Sequence, residues 1–380
     1  MSVTSDHPPR PASAPQASRR RPPKPRPGGL WRWHLWAGLA ALLVLLLSAL
    51  SGALLVYQKE LIRLAVTPGA ELPAAYNHPH IAAQLHTLAS RQPAGQGISL
   101  KAPSPAEPYW TVRDGHALEL LDVATLNPYP DELGVLDALT LVREFHVALL
   151  TDTWGQALLL VAGLLALFLT ISGLVLWWPG RRAFRWRWVL PRDFHSARSL
   201  QYHRHAGALT SPIVLITLLT GSIMLWQKII SPLLPPVATH TQAAAVQPAD
   251  SPGIGRDYRL AQAAVPDGWP TFIRTIQNGD TVHTKVRFRL PGEWHLNGRT
   301  SVTVDRSTGE LLISERSDQS RTARRLLNQL YPLHSGYGMP ATYRLLILVA
   351  GIALAWLAFT GGLHYYTRWQ HRRRRRLEAG

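Results

Sequence analysis

The sequence predicts a mainly α-helical membrane protein with four transmembrane helices, arranged as two tandem pseudo-twofold repeats with a small α+β domain in each. Three observations lead to this prediction: four long apolar runs, an internal repeat of histidines and glycines, and an excess of positive charge on one side. The chain has 380 residues, of which 46% are hydrophobic, a formal net charge of +17 and no cysteine. Without thiolate ligands, a bound metal depends on the 16 histidines, the carboxylates or the three methionines.

Four apolar runs are each long enough to cross a bilayer as a helix. They cover roughly residues 34–56, 155–178, 206–226 and 343–366. Basic residues precede the first run, but it is too long for the apolar part of a signal peptide and is followed by no small-residue cleavage site. We therefore interpret it as a membrane anchor.

The excess of positive charge lies on one side of the predicted membrane. The segments before residue 34, between 179 and 205, and after 366 hold 20 of the 40 Lys and Arg residues but only three of the 23 acids. The positive-inside rule assigns these segments to the cytoplasmic side, together with both termini. The two larger segments are then external. Contact with the lipid membrane explains the basic ends better than nucleic-acid binding does.

The chain repeats its own pattern of residues. Residues 34–59 align with residues 203–228 without a gap, and the second and fourth runs align when each is started from its preceding histidine. The matched positions are His34 with His203, Gly38 with Gly207, Gly52 with Gly221, His146 with His334, Ser172 with Thr360, and Gly173 with Gly361. Parallel repeats in a membrane are related by an axis along the membrane normal.

This symmetry predicts that matched histidines face each other at equal depth. His34 and His203 are expected to form an inner pair at the cytoplasmic surface. His146 and His334 are expected to form an outer pair at the external surface, where a soluble substrate could reach them. A histidine in or beside a membrane span is costly to bury unpaired, so each is a functional candidate. The alternative, that these rings are interfacial side chains without a ligand role, stays open.

The two segments between the spans predict similar small units. Residues 118–130 and 302–314 each predict a strand, an Asp-x-x-Thr turn and a second strand. Residues 80–91 and 257–266 predict short helices that precede those strands. Each unit has about 60 structured residues, a size at which a hydrophobic core alone is marginal. We expect the units to dock on the membrane or on each other.

The ligand chemistry of the histidine pairs favours haem. Zinc takes three or four converging ligands, often including a carboxylate. The predicted spans contain no acid, and each pair offers only two imidazoles, which suits the two axial positions of a haem iron. The expected cofactor is haem b, in one or two copies, each bound by two histidines.

Residues beside the histidines complete the predicted sites. Gly38 and Gly207, one helical turn after the inner histidines, are expected to leave flat space for a porphyrin edge. Arg143, one turn before His146, is a candidate partner of a haem propionate.

Two further residues could change the ligand sets. His364, near the cytoplasmic end of the fourth run, breaks the repeat and could replace His34 or His203. Met339 is a possible alternative to His334, which the surrounding glycines place in a surface loop. The remaining external histidines are predicted surface residues: His78, His80, His86, His116, His240, His283 and His295.

Several short motifs resemble the PepSY-associated transmembrane proteins. They are "WHLWAGL", "FHVALL", "YHRHAGAL", "LHSGYG", the Ser-Gly and Thr-Gly span ends, and the turn "VDRSTGELL". The resemblance covers almost everything from residue 30 to residue 370. It implies a PepSY-like periplasmic α+β domain in each repeat. In size and layout the chain is similar to members that reduce ferric siderophores at the inner membrane, which implies that His34, His146, His203 and His334 ligate haem.

The resemblance implies an oxidoreductase that passes electrons across the membrane to siderophore-bound iron in the periplasm. The chain has no Gly-rich dinucleotide fingerprint, so the electron donor is expected to be a quinol or a cytoplasmic reductase. No catalytic acid or base is predicted. The main alternative is a non-enzymatic PepSY module that binds peptides or regulates a protease. A transporter subunit is a third reading, but no charged residue is predicted at mid-membrane.

The predicted organisation has nine segments. They are a disordered, basic, Pro-rich tail (1–29), the first transmembrane helix (30–58), the first periplasmic domain (59–145), the second transmembrane helix with its preceding histidine segment (146–178), a cytoplasmic loop (179–202), the third transmembrane helix (203–230), the second periplasmic domain (231–333), the fourth transmembrane helix with its histidine loop (334–366) and a basic cytoplasmic tail (367–380).

Overall fold

The computed structural model describes residues 28–91, 97–114, 117–190, 198–229, 253–278 and 281–379. The predicted disorder of the N-terminal tail falls almost entirely outside the described residues. So do two of the histidines that were predicted to lie at the surface, His116 and His240.

Four long helices form a bundle. They are α1 (Gly29–Leu55), α5 (Asp152–Trp177), α6 (Ser199–Ile229) and α10 (Ala341–Leu377). Each is long and apolar enough to cross a membrane, and the chain is a mainly helical membrane protein. Helix α1 packs against α5 and α10, and α6 packs against the same two helices. The bundle is therefore a closed ring in the order α1, α5, α6, α10.

Small residues make the bundle interior. One buried cluster contains Ala41, Leu45, Ala162 and Ala166, and another contains Val214, Ala350 and Ala353. In a membrane, small residues let helix backbones approach closely and gain van der Waals contact. Large apolar side chains such as Leu43 and Leu164 point outward instead, where lipid is as favourable a neighbour as protein.

The two segments between the long helices build one antiparallel sheet rather than two separate domains. Its strands are β1 (Ser99–Lys101), β2 (Tyr109–Asp114), β3 (Ala117–Asp122), β4 (Trp269–Asn278), β5 (Thr281–Arg289), β6 (Thr300–Asp305) and β7 (Leu311–Glu315). Their order is β3-β2-β1-β4-β5-β6-β7. The halves join where β1 pairs with β4, with Leu100 opposite Ile273. The two predicted α+β units thus share one sheet, because each alone has too small a core.

Helices cover both faces of the sheet. Helices α3 (His78–Ser90) and α7 (Ile254–Ala264) pack against each other over the main core, in which Trp110 and Phe288 are fully buried. Successive residues of a strand point to opposite faces, so Tyr109 faces the other side. There it joins a smaller core with α2 (Gln58–Ala65) and α4 (Val135–Ala148).

One predicted strand is absent, and the reason lies in its prolines. The Asp305 turn leads from β6 into β7 as predicted, but after the Asp122 turn the described chain makes only an isolated bridge between Leu121 and Pro128. Both turns have the expected hydrogen bond, in which the Asp carboxylate accepts from the backbone N–H three residues on. Pro128 and Pro130 have no N–H to donate to a ladder, so the strand does not continue.

The ends of the predicted spans also differ from the structure. His334 does not lie in a loop but on a short helix, α9 (Leu330–Ser335), which Gly336 ends with a φ of +73°. Another short helix, α8 (Thr322–Asn328), precedes it. The basic tail after residue 366 continues α10 as helix to Leu377. Its arginines are good helix formers.

Candidate functional site

The four predicted histidines meet as two pairs. In the inner pair, the ring centres of His34 on α1 and His203 on α6 are 6.3 Å apart. In the outer pair, the ring centres of His146 on α4 and His334 on α9 are 6.2 Å apart. This is the pairing that the alignment predicted. Each pair takes one histidine from each half of the chain.

The spacing of both pairs matches two imidazoles that share one metal ion. A metal–nitrogen bond is about 2 Å long and the ring centre lies about 1.1 Å behind the nitrogen, so two such rings on opposite sides of a metal have centres about 6 Å apart. Among the described residues, no group of three or more His, Cys, Asp or Glu side chains is placed to hold a metal ion. Each pair therefore offers two nitrogen ligands, which suits the two axial positions of a haem iron.

Backbone carbonyls determine the tautomer of three of the four rings. The Nδ1 atoms of His146, His203 and His334 lie 3.0 Å from Ser48 O, 3.1 Å from Leu357 O and 2.9 Å from Thr217 O, respectively. A carbonyl oxygen only accepts hydrogen bonds, so each Nδ1 carries the proton and each Nε2 keeps its lone pair. A ring oriented in this way is ready to bind a metal through Nε2.

A hydroxyl from an adjacent long helix contacts every ring. The contacts of Nδ1 are His34 with Ser172 at 2.8 Å, His146 with Ser51 at 3.2 Å, His203 with Thr360 at 3.2 Å and His334 with Thr220 at 3.4 Å. No role was predicted for these four hydroxyl residues from the sequence. The signal was present, because a Ser-Gly or Thr-Gly step recurs in all four spans.

The glycine after each hydroxyl leaves room for the histidine ring. A Cβ atom built at Gly52 would lie 2.7 Å from Cε1 of His146, and one at Gly221 would lie 2.7 Å from Cε1 of His334. In the inner pair the corresponding distances to Cε1 are 3.3 Å from Gly173 to His34 and 3.5 Å from Gly361 to His203. The outer pair therefore tolerates no side chain at these positions without moving its rings.

Gly38 and Gly207 face leucines of a neighbouring helix, and their role beside a porphyrin edge stays a prediction. A Cβ atom at Gly38 would lie 3.6 Å from Leu169, and one at Gly207 would lie 3.2 Å from Leu357. Both glycines serve contacts between helices. The glycines that border the rings come from the neighbouring helix, which spacing along one helix cannot reveal.

A sharp turn between α4 and α5 positions His146. Leu149, Leu150 and Asp152 all have positive φ, at 48°, 61° and 47°. Such angles are strained for residues other than glycine and cluster at functional sites. A Cβ atom at Gly155 would lie only 1.6 Å from the carbonyl oxygen of Ala148, so glycine is required where the two helices meet.

The outer pair lines a cavity of about 620 Å³ between the bundle and the sheet. On the side of the bundle it is lined by apolar residues such as Leu45, Val214 and Leu354. Six cationic side chains also line it, namely Lys59, Lys101, Arg113, Arg143, Lys228 and Arg274, and no described Asp or Glu does. The predicted Arg143 is thus one of a group. An apolar cavity of this size with a basic border suits a flat cofactor that carries carboxylates.

The other predicted residues lie outside the two pairs. His364 is half-buried on α10 and near His203, but neither ring pair includes it. Met339 lies in the turn after α9. The prediction for His295 was wrong, because its ring is 3% exposed and stacks on Tyr331. An isolated histidine in a loop sequence carries no signal for such burial.

A buried carboxylate adjoins the outer cavity. Glu107, in the loop between β1 and β2, is 1% exposed and accepts hydrogen bonds from Lys59 at 2.6 Å, from Lys101 and from the hydroxyl of Tyr337. Burial alone would raise the pKa of Glu107, but the two lysines hold it below its usual range. Burial and the neighbouring Lys59 lower the pKa of Lys101 to about 8, against the opposing effect of Glu107.

The comparisons with known proteins identify the family. Residues 31–368 match the PepSY-associated TM region, and the chain belongs to this family. A search of curated proteins found no match.

Proposed function

We propose that the protein is a haem-containing inner-membrane oxidoreductase that passes electrons across the membrane and reduces ferric siderophore iron in the periplasm. The observation that carries the proposal is the spacing of the two histidine pairs, 6.3 Å and 6.2 Å between ring centres. In both pairs the spacing matches two ligands of one iron.

The contacts around the pairs support two tandem repeats with a pseudo-twofold axis. Within each half, a histidine on the first long helix contacts the Ser/Thr-Gly step of the second long helix. The other histidine of that half contacts the Ser/Thr-Gly step of the first long helix. The four reciprocal contacts are His34 with Ser172, His146 with Ser51, His203 with Thr360 and His334 with Thr220. The two halves use the same contacts, as duplication of one ancestral unit would produce.

The positions of the pairs along α1 support electron transfer across the bilayer. His34 lies in the second turn of α1, and Gly52, which borders His146, follows 18 residues later. At 1.5 Å per residue this is about 27 Å along the helix axis, close to the ~30 Å thickness of the hydrocarbon core. Two sites at this separation would place one at each surface.

The charge distribution supports the orientation. The helix ends at the inner pair carry the excess of Lys and Arg, which the positive-inside rule assigns to the cytoplasm. The sheet and the outer pair are then periplasmic, and the two halves of the sheet are the PepSY-like domains of the two repeats. Electrons would enter from a quinol or a cytoplasmic reductase.

Each residue set has a part in holding haem b, in one or two copies. The histidines would bind the iron through Nε2, the carbonyls and hydroxyls would orient the rings, and cations such as Arg143 would face the carboxylates. When bound, the haem supplies an iron that gains and loses one electron at a time. Reduction of a ferric siderophore to Fe(II) weakens its hard oxygen ligands, so no acid–base side chain is required.

The first test is the visible spectrum of the detergent-purified protein, oxidised and then dithionite-reduced, with a pyridine haemochrome titration. We expect about two haems b per chain, with loss of the outer one in His146→Ala and of the inner one in His203→Ala. The matched control is His205→Ala. That side chain is half-buried on the same helix as His203 and, within the described part of the chain, hydrogen-bonds the backbone carbonyls of Gln201 and Ala183, so both haems should remain.

The result that contradicts the proposal is a protein that stays colourless when haem is supplied during expression. It would favour the non-enzymatic alternative, in which the PepSY domains bind peptides or regulate a protease. If the protein binds one haem instead of two, only one histidine pair is a haem site. It is the pair whose histidine variants lose that haem.

A further inference from the structure

A second pocket lies beside the outer cavity and opens on the flank of the sheet. This side pocket has a volume of about 750 Å³ and is bordered by the loop after α2, the β1–β2 loop, the start of β4 and the turn after α9. Ligand sites in proteins have volumes of about 300–1,000 Å³. Neither the histidine pairs nor the outer cavity accounts for it.

The side pocket and the outer cavity share a wall. Lys101 and Tyr337 line both of them, and Glu107 holds these two residues together from within the wall. The ammonium of Lys101 also lies 5.6 Å from the ring centre of Tyr337. Tyr337 follows His334 by three residues, so the outer histidine and the side pocket are connected by a short length of chain.

The lining of the side pocket suits an anion with an apolar body. Arg63 and Arg289 supply positive charge, and the two lysines on Glu107, Lys59 and Lys101, together exceed its charge by one. Glu71 is the one other acid among the described lining residues. Aromatic and proline side chains, among them Trp269 and Pro105, form the remaining walls. Guanidinium and ammonium groups bind oxygen anions by charge-assisted hydrogen bonds.

The wall contains a residue, Tyr337, that has no equivalent in the other half of the chain. The alignment from His146 and His334 places Leu149 opposite Tyr337, and Leu149 has no hydroxyl to donate. Duplication copies features into both halves and so does not explain one that occurs in a single half. The Glu107 cluster therefore makes the two sides of the outer site different, at the wall through which the outer cavity meets the side pocket.

We propose that the side pocket binds the electron acceptor and that the acceptor is an anionic metal chelate with oxygen donors. The inference rests on the proposed function, because the electron comes from the outer site. One electron passes through the wall at Tyr337, the donor in the outer cavity is oxidised by one unit and the chelated metal is reduced by one unit. No atom or proton has to cross the wall.

Binding can be tested apart from electron transfer by using gallium(III), which takes the place of iron(III) but is not reduced. The probe is gallium(III) tris-catecholate, an anionic complex, titrated calorimetrically into the full-length protein in detergent. The neutral complex gallium(III) tris-acetohydroxamate is titrated in the same way, and the difference in affinity between the two complexes measures the contribution of charge. We expect one chelate per chain, with the anionic complex binding about tenfold or more tightly than the neutral one.

Two variants locate the site without disturbing the core. Ala106→Trp puts a large ring into the pocket from an exposed position, and Arg63→Ala removes an exposed cation from its border. We expect the first to abolish binding and the second to weaken it about tenfold. Ala124→Trp and Arg187→Ala are the matched controls, since both positions are exposed and lie outside the pocket, and should bind as the unmodified protein does.

The outcomes separate this inference from the proposed function. Two outcomes in a protein that holds its haems would overturn the side pocket as acceptor site and leave the oxidoreductase intact. In one, the protein binds neither gallium complex. In the other, Ala106→Trp binds the anionic complex as tightly as the unmodified protein does. Binding of the anionic complex by a protein that takes up no haem would overturn electron transfer, and with it the role as acceptor. Binding that both variants weaken, in a protein that also carries haem, supports the proposal.

Discussion

Each histidine ring has a polar contact at Nδ1, but the four rings differ in the number of these contacts. His146, His203 and His334 have both a carbonyl and a hydroxyl near Nδ1. For His34 the structure describes only the hydroxyl of Ser172, at 2.8 Å. A ligand's orienting partner typically changes metal affinity by about 10–100-fold when it is lost. The effect of removing a hydroxyl should therefore depend on whether a carbonyl is left.

Ser172→Ala should weaken haem binding at the inner pair about tenfold or more, because His34 loses its described Nδ1 partner. Ser51→Ala is the matched variant at the outer pair, where His146 keeps the carbonyl of Ser48 at 3.0 Å, and its effect should be smaller. Haem titrations of the apoprotein give both affinities, with each serine variant made in a background that lacks the other histidine pair. Equal losses in the two variants, or the reverse order, would contradict this account of the orienting contacts.

At the scale of elements, the outer site depends on how two short helices meet the long ones. His146 and His334 lie on α4 and α9, whereas the inner histidines lie within long helices. The α4–α5 turn has strained backbone at Leu149 and Leu150 and close contact at Gly155. The position of His146 is thus set by a turn and not by the helix it precedes.

Gly155→Ala should displace α4 from α5. Its Cβ would lie 1.6 Å from the backbone oxygen of Ala148, and overpacking of this kind costs about 1–3 kcal/mol. We expect a lower melting temperature and loss of about one of the two haems, the outer one, by haemochrome titration. Gly29→Ala is the control, because no atom lies within 4 Å of a Cβ there. An outer haem that persists in Gly155→Ala would show that the turn does not position His146.

On the scale of the whole molecule, repetition made the histidine pairs predictable. Alignment of the two halves brings His34 to His203 and His146 to His334 without knowledge of the packing. The Ser/Thr-Gly steps were visible as a repeat, but their contacts depend on which helices are neighbours. The single sheet was not predictable because its halves join through β1, which has three residues. Glu107, an isolated acid among prolines and alanines, gave no pattern at all.

Glu107 connects three parts of the fold that are distant in sequence. Lys59 lies in the first turn of α2 beside the bundle, Lys101 ends β1 in the sheet, and Tyr337 lies in the turn before α10. A buried carboxylate with two lysines stays charged only while both cations compensate for lost hydration. Its removal leaves two ammonium groups at the junction with no opposing charge, so we expect the effect to reach the whole molecule.

Glu107→Gln should lower the free energy of unfolding by about 3–5 kcal/mol at neutral pH, as expected when one partner of a buried ion pair is lost. Because the pKa of Glu107 is lower in the folded state, its stabilisation is present above about pH 4.5 and is lost as the pH falls towards the folded value. The difference between the melting temperatures of the variant and the unmodified protein should therefore narrow as the pH falls from 7 to 3. Asp267→Asn, which alters an exposed ion pair with Arg316, should follow the unmodified protein throughout. Parallel curves for Glu107→Gln, with the same difference at every pH, would mean that the carboxylate contributes its shape and hydrogen bonds and not its charge.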